Sequence, residues 1–151
     1  MKITFFGHND TPQYAQFLLQ EALTYLTIIV DKPVFYVGNH GGFDFMVKNT
    51  LKDLKKVYPD IKYYVVLAYM PGKKNELDYE NYSNTIYPDE LENTPPKYAI
   101  DKRNRWMIDK ADTVITYVNR DFGGAARFKK IAERKDKIVI NLYDFFKEGF
   151  K

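Results

Sequence analysis

The stretch Tyr63-Tyr64-Val65-Val66-Leu67-Ala68 is apolar almost without interruption. A strand with one wet face alternates polar and apolar residues. A run without that alternation fits a strand covered on both faces, as in a parallel sheet between two helix layers. Residues 3–6, 34–37, 113–118 and 137–142 have the same short, β-branched or aromatic character, and residues 61–69 contain the run itself.

Between these segments the period changes from two to three or four. Thr11 before Pro12 reads as a helix start, with Thr as the cap and Pro in the first helical position. Tyr14, Phe17, Leu18, Ala22, Tyr25 and Leu26 then give an amphipathic helix reaching about Ile29. A second helix follows Gly42, runs through Met46, Val47, Leu51 and Leu54, and stops near Tyr58, before Pro59. Further helices are predicted over 99–110 and 125–134, with a short aromatic one over 143–150. The order βαβαβ, loop, αβαβ predicts a Rossmann-like three-layer α/β/α fold with a mostly parallel five-stranded sheet. Residues 1–151 read as a single domain. The exception to regularity is 71–97, which holds Pro71, Pro88, Pro95 and Pro96. It reads as a long loop, with Tyr79, Tyr82, Ile86 and Tyr87 docking it as a lid.

Composition narrows the chemistry. The chain has no cysteine, so disulfides, thiolate zinc sites and cysteine nucleophiles are excluded. His8 and His40 are the two histidines, too few for a three-histidine zinc site. No metal and no cofactor is expected. No apolar run reaches the ~20 residues of a membrane helix. Residues 2–7 already read as a strand, and Asn9 and Asp10 interrupt any secretory leader, so no membrane partner and a cytoplasmic location are expected. The net charge of +3 is mild. The basic residues Arg127, Lys129, Lys130, Arg134, Lys135 and Lys137 cluster in one stretch that reads first as a solvated helix face.

Six of the eight glycines follow predicted strands: Gly7, then Gly38, Gly41 and Gly42, then Gly123 and Gly124. In an open α/β sheet, ligands sit at the carboxyl ends of the strands. Helix starts at Gly41-Gly42 and Gly123-Gly124 would offer free N–H groups and a positive dipole end to phosphate oxygens. Neither G-x-G-x-x-G nor G-x-x-x-x-G-K-[ST] is present, which argues against an ordinary dinucleotide site and a P-loop.

The segments Phe5-Phe6-Gly7-His8, Tyr36-Val37-Gly38-Asn39, Gly41-Gly42-Phe43-Asp44, Arg103-Asn104-Arg105-Trp106-Met107 and Gly123-Gly124-Ala125-Ala126 together resemble the SLOG superfamily. This Rossmann-like group includes the LOG phosphoribohydrolases and the SMF DNA-processing proteins. The likeness is to small bacterial and phage members. It implies a nucleotide-type ligand over the strand ends. Arg103 and Met107 match the LOG helix motif, with Asn104 where LOG has Lys. Gly123 and Gly124 match its paired glycines, while Ala126 and Arg127 replace its third Gly and its Thr. The LOG catalytic Glu would fall at Lys130, which supplies no carboxylate.

The ligand-binding set expected on these grounds is Gly7, His8, Gly38, Asn39, Gly41, Gly42, Asp44, Arg103, Gly123, Gly124 and Ala125. Asp44 is the carboxylate placed to meet ribose hydroxyls, and the acid–base group if the chain is an enzyme. Arg103 is placed to hold a phosphate. The expected function is capture or sensing of an ADP-ribose-like or nucleoside phosphate ligand. The alternatives are an N-glycosidic hydrolase or transferase on nucleotides, and single-stranded DNA binding. A homo-oligomer is expected because Trp106, Phe145 and Phe146 would otherwise be exposed.

Overall fold

A computed structural model describes residues 1–70 and 84–149, with side chains of the last helix up to residue 145. The expected docking residues Tyr79 and Tyr82, and the side chain of Phe146, lie outside the described residues. The chain order is β1 (Lys2–Gly7), α1 (Ala15–Ile29), β2 (Val34–Val37), α2 (Gly41–Val57), β3 (Lys62–Val66), β4 (Thr85–Ile86), a 3₁₀ turn (Asp89–Leu91), α3 (Pro96–Lys110), β5 (Thr113–Tyr117), α4 (Gly124–Arg134), β6 (Ile138–Asn141) and α5 (Leu142–Gly149).

The sheet is parallel throughout, in the order β4-β3-β2-β1-β5-β6. Among the described residues it has six strands where the sequence predicted five. The additional strand is the two-residue β4, cut from the segment read as a loop. Its Thr85 and Ile86 pair with Val65 and Val66. So short an edge leaves most of β3 only half-buried, despite its apolar run. Pro95 and Pro96 also leave the loop: Pro96 opens α3, where its missing N–H costs nothing.

A second correction concerns α1. Thr11 and Pro12 do not start the helix. The Thr11 hydroxyl donates to the His8 carbonyl, residues 12–14 form turns, and regular helix begins at Ala15.

Strand addition proceeds outward from β1 in both directions. Right-handed crossovers therefore place α1 and α2 on one face and α3 and α4 on the other. Two cores result. Ile3, Phe5, Leu19, Phe35, Phe43, Leu51 and Ile115 fill the first, joined by Leu142 of α5. Phe6, Tyr36, Met107, Ile108, Val114 and Phe128 fill the second. Trp106, expected to need an oligomer for cover, meets Tyr36 edge-on at 5.7 Å and packs against this second core. The strand order reverses beside β1, so the crevice of this fold opens over its carboxyl end.

Candidate functional site

At that end lies a crevice of about 340 Å³. Gly7, Asp44, Arg103, Gly124 and Ala125 of the expected set line it, with Asn9, His40 and Arg127 beside them. The structure thus brings the exits of β1 and β2 and the α2 and α4 starts to one hollow, while His8, Gly38, Asn39, Gly41, Gly42 and Gly123 of the expected set do not line it.

The glycines divide into two kinds. A Cβ on Gly7 would come within 2.2 Å of the buried Phe43 ring. One on Gly38 would lie 2.6 Å from an Asp44 carboxylate oxygen and 3.1 Å from the Arg103 guanidinium carbon. Gly42 faces the Asn9 carbonyl at 2.6 Å, and Gly41, with φ +90°, lies under the Asn9 side chain. These four glycines let protein atoms approach protein atoms, and Asn9 roofs the α2 start. Gly123 and Gly124 differ: a Cβ on either would meet nothing within 4 Å. Gly123 has φ 92° and ψ 172°, a region that glycine alone occupies readily. It caps α4 with no side chain to meet the helix's first N–H groups, and Gly124 and Ala125 of that first turn line the crevice.

Arg103 is 2% exposed and its hydrogen bonds run inward. Its Nε donates to Asn104 Oδ1 at 2.8 Å, and its Nη1 to Asn39 Oδ1 at 3.1 Å and the Val66 carbonyl at 2.9 Å. Its Nη2 lies 3.5 Å from His40 Nδ1; a guanidinium cannot accept, so this imidazole nitrogen does. Partial burial, then Arg103 and Lys48, hold His40 below its ordinary pKa, in keeping with a neutral ring. Asn39 therefore acts on Arg103, and Arg103 ties the ends of β2 and β3 to α3. Asn104, where the LOG motif has Lys, supplies the acceptor that keeps this buried arginine in place.

Asp44 accepts the His40 backbone N–H at 3.0 Å. Burial pushes its carboxyl up to about 6, against smaller opposing pulls from that hydrogen bond, Arg103 and Lys48. His8 is buried, and its Nε2 accepts the Asn119 N–H at 3.3 Å, linking the exits of β1 and β5. Asn141 performs the same task one strand further on, exchanging hydrogen bonds with both the N–H and the carbonyl of Val118.

Beyond Gly124 and Arg127 the crevice continues into an open groove of about 620 Å³ between α3 and α4. Arg105, Arg127, Lys130 and Arg134 line it, with Asp121 and Phe122 at its head. Residues 127, 130 and 134 share one face of α4 because they are spaced three and four apart. The basic run thus divides. Lys129 and Lys135 pair with Glu133 and Asp109 away from the groove, whereas Lys130 and Arg134 have no ion-pair partner among the described residues. Asp101 pairs with both Arg105 and Arg127. Phe122 is 66% exposed, with the Arg120 guanidinium 5.4 Å above its ring. Sequence reasoning did not single out Asn9, His40 or Phe122, since each acquires its place only through the fold. Among the described residues, no cluster of His, Asp and Glu could hold a metal, and no helix is long and apolar enough to cross a membrane.

Fold and crevice together define a Rossmann-like α/β domain with an open, cation-lined helix start over its strand ends. The same fold occurs in DNA processing protein A from Helicobacter pylori, whose structure reports a single-stranded DNA binding mode. That match has a TM-score of 0.64 and 16% identity, covering 99% of this chain and 73% of that one. DNA processing protein A from Streptococcus pneumoniae matches with a TM-score of 0.65 and 16% identity, over 91% of this chain and 48% of that one, about half its length. Both neighbours are SMF proteins of the SLOG class that the sequence motifs resemble. At this identity the likeness is one of fold. The chain matches no family model, and no curated protein matches it in sequence.

Proposed function

We propose that the chain binds single-stranded DNA along the α3–α4 groove, with one phosphate seated on the α4 start. The observation that carries this reading is the bare helix start at Gly123-Gly124, continuous with Arg105, Arg127, Lys130 and Arg134. Free N–H groups at a helix start suit a phosphate oxygen. A row of cations along an open groove suits several phosphates in succession, and exposed Phe122 offers a face on which a base can stack. The fold shared with a protein reported to bind single-stranded DNA supports the choice of polymer.

The test is anisotropy of a labelled oligothymidylate, titrated with wild-type chain and with Gly124→Asp. The substitution meets open space, so the fold persists while a carboxylate occupies the phosphate position. Loss of binding in the variant is expected. Equal binding by both, or none by the wild type, overturns the reading.

A second reading is favoured by the inner part of the site. A crevice of about 340 Å³ that joins Gly124 and Ala125 to Asp44 has room for a nucleoside phosphate or an ADP-ribose-like molecule, phosphate on α4 and ribose on Asp44. The chain would then act as a sensor or sequestering protein. An Asp44 carboxyl near 6 would also suit acid–base chemistry on an N-glycosidic bond. Thermal shift against nucleoside phosphates, with chromatography for released base, distinguishes these outcomes from DNA binding alone.

A further inference from the structure

The outer face of α1 has no role in the site. Its fifteen residues, Ala15–Ile29, include one charge, Glu21. A helix facing water on one side ordinarily carries a charged or polar stripe there. Here the exposed stripe is Tyr14, Phe17, Glu21, Tyr25 and Ile28, whose four large apolar members are 51–65% exposed. At 3.6 residues per turn, these five positions fall within about 80° of arc. Exposed Ile29 extends the patch at one end, and exposed Phe145 lies on α5, which packs beside α1.

From the geometry of this stripe we infer that α1 forms a two-fold interface between two copies of this chain. The spacing 14, 17, 21, 25, 28 reads three, four, four, three, the same in both directions. An antiparallel pair of α1 helices centred on Glu21 therefore sets Phe17 against Tyr25 of the second copy and Tyr14 against Ile28. Self-matching of this kind is what a two-fold contact requires. The area is also adequate. An aromatic side chain buries 150–250 Å² in full, so six side chains exposed by half or more offer roughly 600 Å² per copy, close to the ~800 Å² of a standard interface. The single like-charged contact, Glu21 on Glu21, works against the pair. The α3–α4 groove lies across the sheet from α1, so a dimer leaves both grooves open, and the inference does not depend on what they bind.

The absence of cysteine makes the test clean. Glu21→Cys should oxidise rapidly to a covalent dimer, whereas Phe17→Cys, whose partner position is Tyr25, should do so only together with Tyr25→Cys. Exposed Lys52→Cys on α2 serves as the collision control. By sedimentation the wild type should be a dimer, Phe17→Glu a monomer that still melts cooperatively but at a lower, concentration-independent temperature, and Glu21→Gln a tighter dimer. A monomeric wild type, or Glu21→Cys crosslinking no faster than Lys52→Cys, overturns the inference. So does a dimer that Phe17→Glu leaves intact, or a monomer that floats with lipid vesicles.

Discussion

Replacing Lys130 and Arg134 together by glutamine bears most directly on the groove. Both side chains line it from α4, and neither is committed to an ion pair among the described residues. Each phosphate neutralised by a cation contributes about −0.7 to the slope of log K against log salt for a single strand. If all four groove cations engage, the wild-type slope is about −2.8, and affinity falls about 50-fold between 50 and 200 mM salt. Without Lys130 and Arg134 the slope is about −1.4 and the same salt step costs about 7-fold. Asp101 can instead stay paired with Arg105 and Arg127 in the complex. One carboxylate offsets only one of those two charges, so the wild-type slope is then about −2.1 and the variant's about −0.7, and the difference of about 1.4 survives. Anisotropy titrations of a labelled oligothymidylate at several salt concentrations measure it, with thermal melts confirming that both proteins are folded. A slope that changes by less than about 0.5 refutes the assignment of these residues to phosphates.

Three further outcomes follow from the same geometry. Asp101→Asn releases Arg105 and Arg127 from their shared carboxylate, so DNA affinity in the same titration should rise, and a fall would show the ion pairs to be part of the binding form. Gly7→Ala drives a methyl into the Phe43 ring and should cost about 1–3 kcal/mol, lowering the melting temperature by about 2–4 °C per kcal/mol, with partial rescue by Phe43→Leu. Asp44 has a carboxyl raised from 3.8 to about 6 in the fold, so its protonated form stabilises the native state below about pH 4, and that stability is lost as pH rises through 6. At 1.36 kcal/mol per pH unit the loss is about 3 kcal/mol at pH 7. Asp44→Asn should therefore melt higher than wild type at pH 7, with the gap closing toward pH 4. A gap independent of pH would refute the raised carboxyl.

The layered architecture was legible because it rests on period. Strands buried among helices lose their alternation, and helices with one wet face keep theirs. Boundaries were less legible where local chemistry had two uses. Thr11 and Pro12 suit a helix cap, yet the Thr11 hydroxyl reaches back to the His8 carbonyl, and α1 starts four residues after Thr11. β4 was unreadable because two residues carry no period, and they are held by pairing with β3 rather than by their own pattern. The glycines marked the strand ends correctly but not what each one faces. Sequence cannot distinguish Gly7, which admits the Phe43 ring, from Gly124, which admits nothing in this chain. That difference is a matter of neighbours far away in sequence.

Arg103 shows the same point from the other side. Its five N–H groups are the natural partners of a phosphate. Three of them are already spent on Asn104, Asn39 and Val66, and a fourth points to His40. Redirecting the guanidinium to a ligand would strand the Val66 carbonyl and leave the Asp44 carboxylate without its nearest cation, both in a dry setting where such losses are large. The same side chain that a motif would assign to binding is thus better employed holding β2, β3 and α3 in register around the crevice. On the proposed reading, phosphate recognition would then fall to groups that can change partner at little cost: the N–H groups at the α4 start and the solvated cations along its open face. A rigid inner cluster and an adaptable outer rim are separate requirements, and on that reading separate residues would meet them.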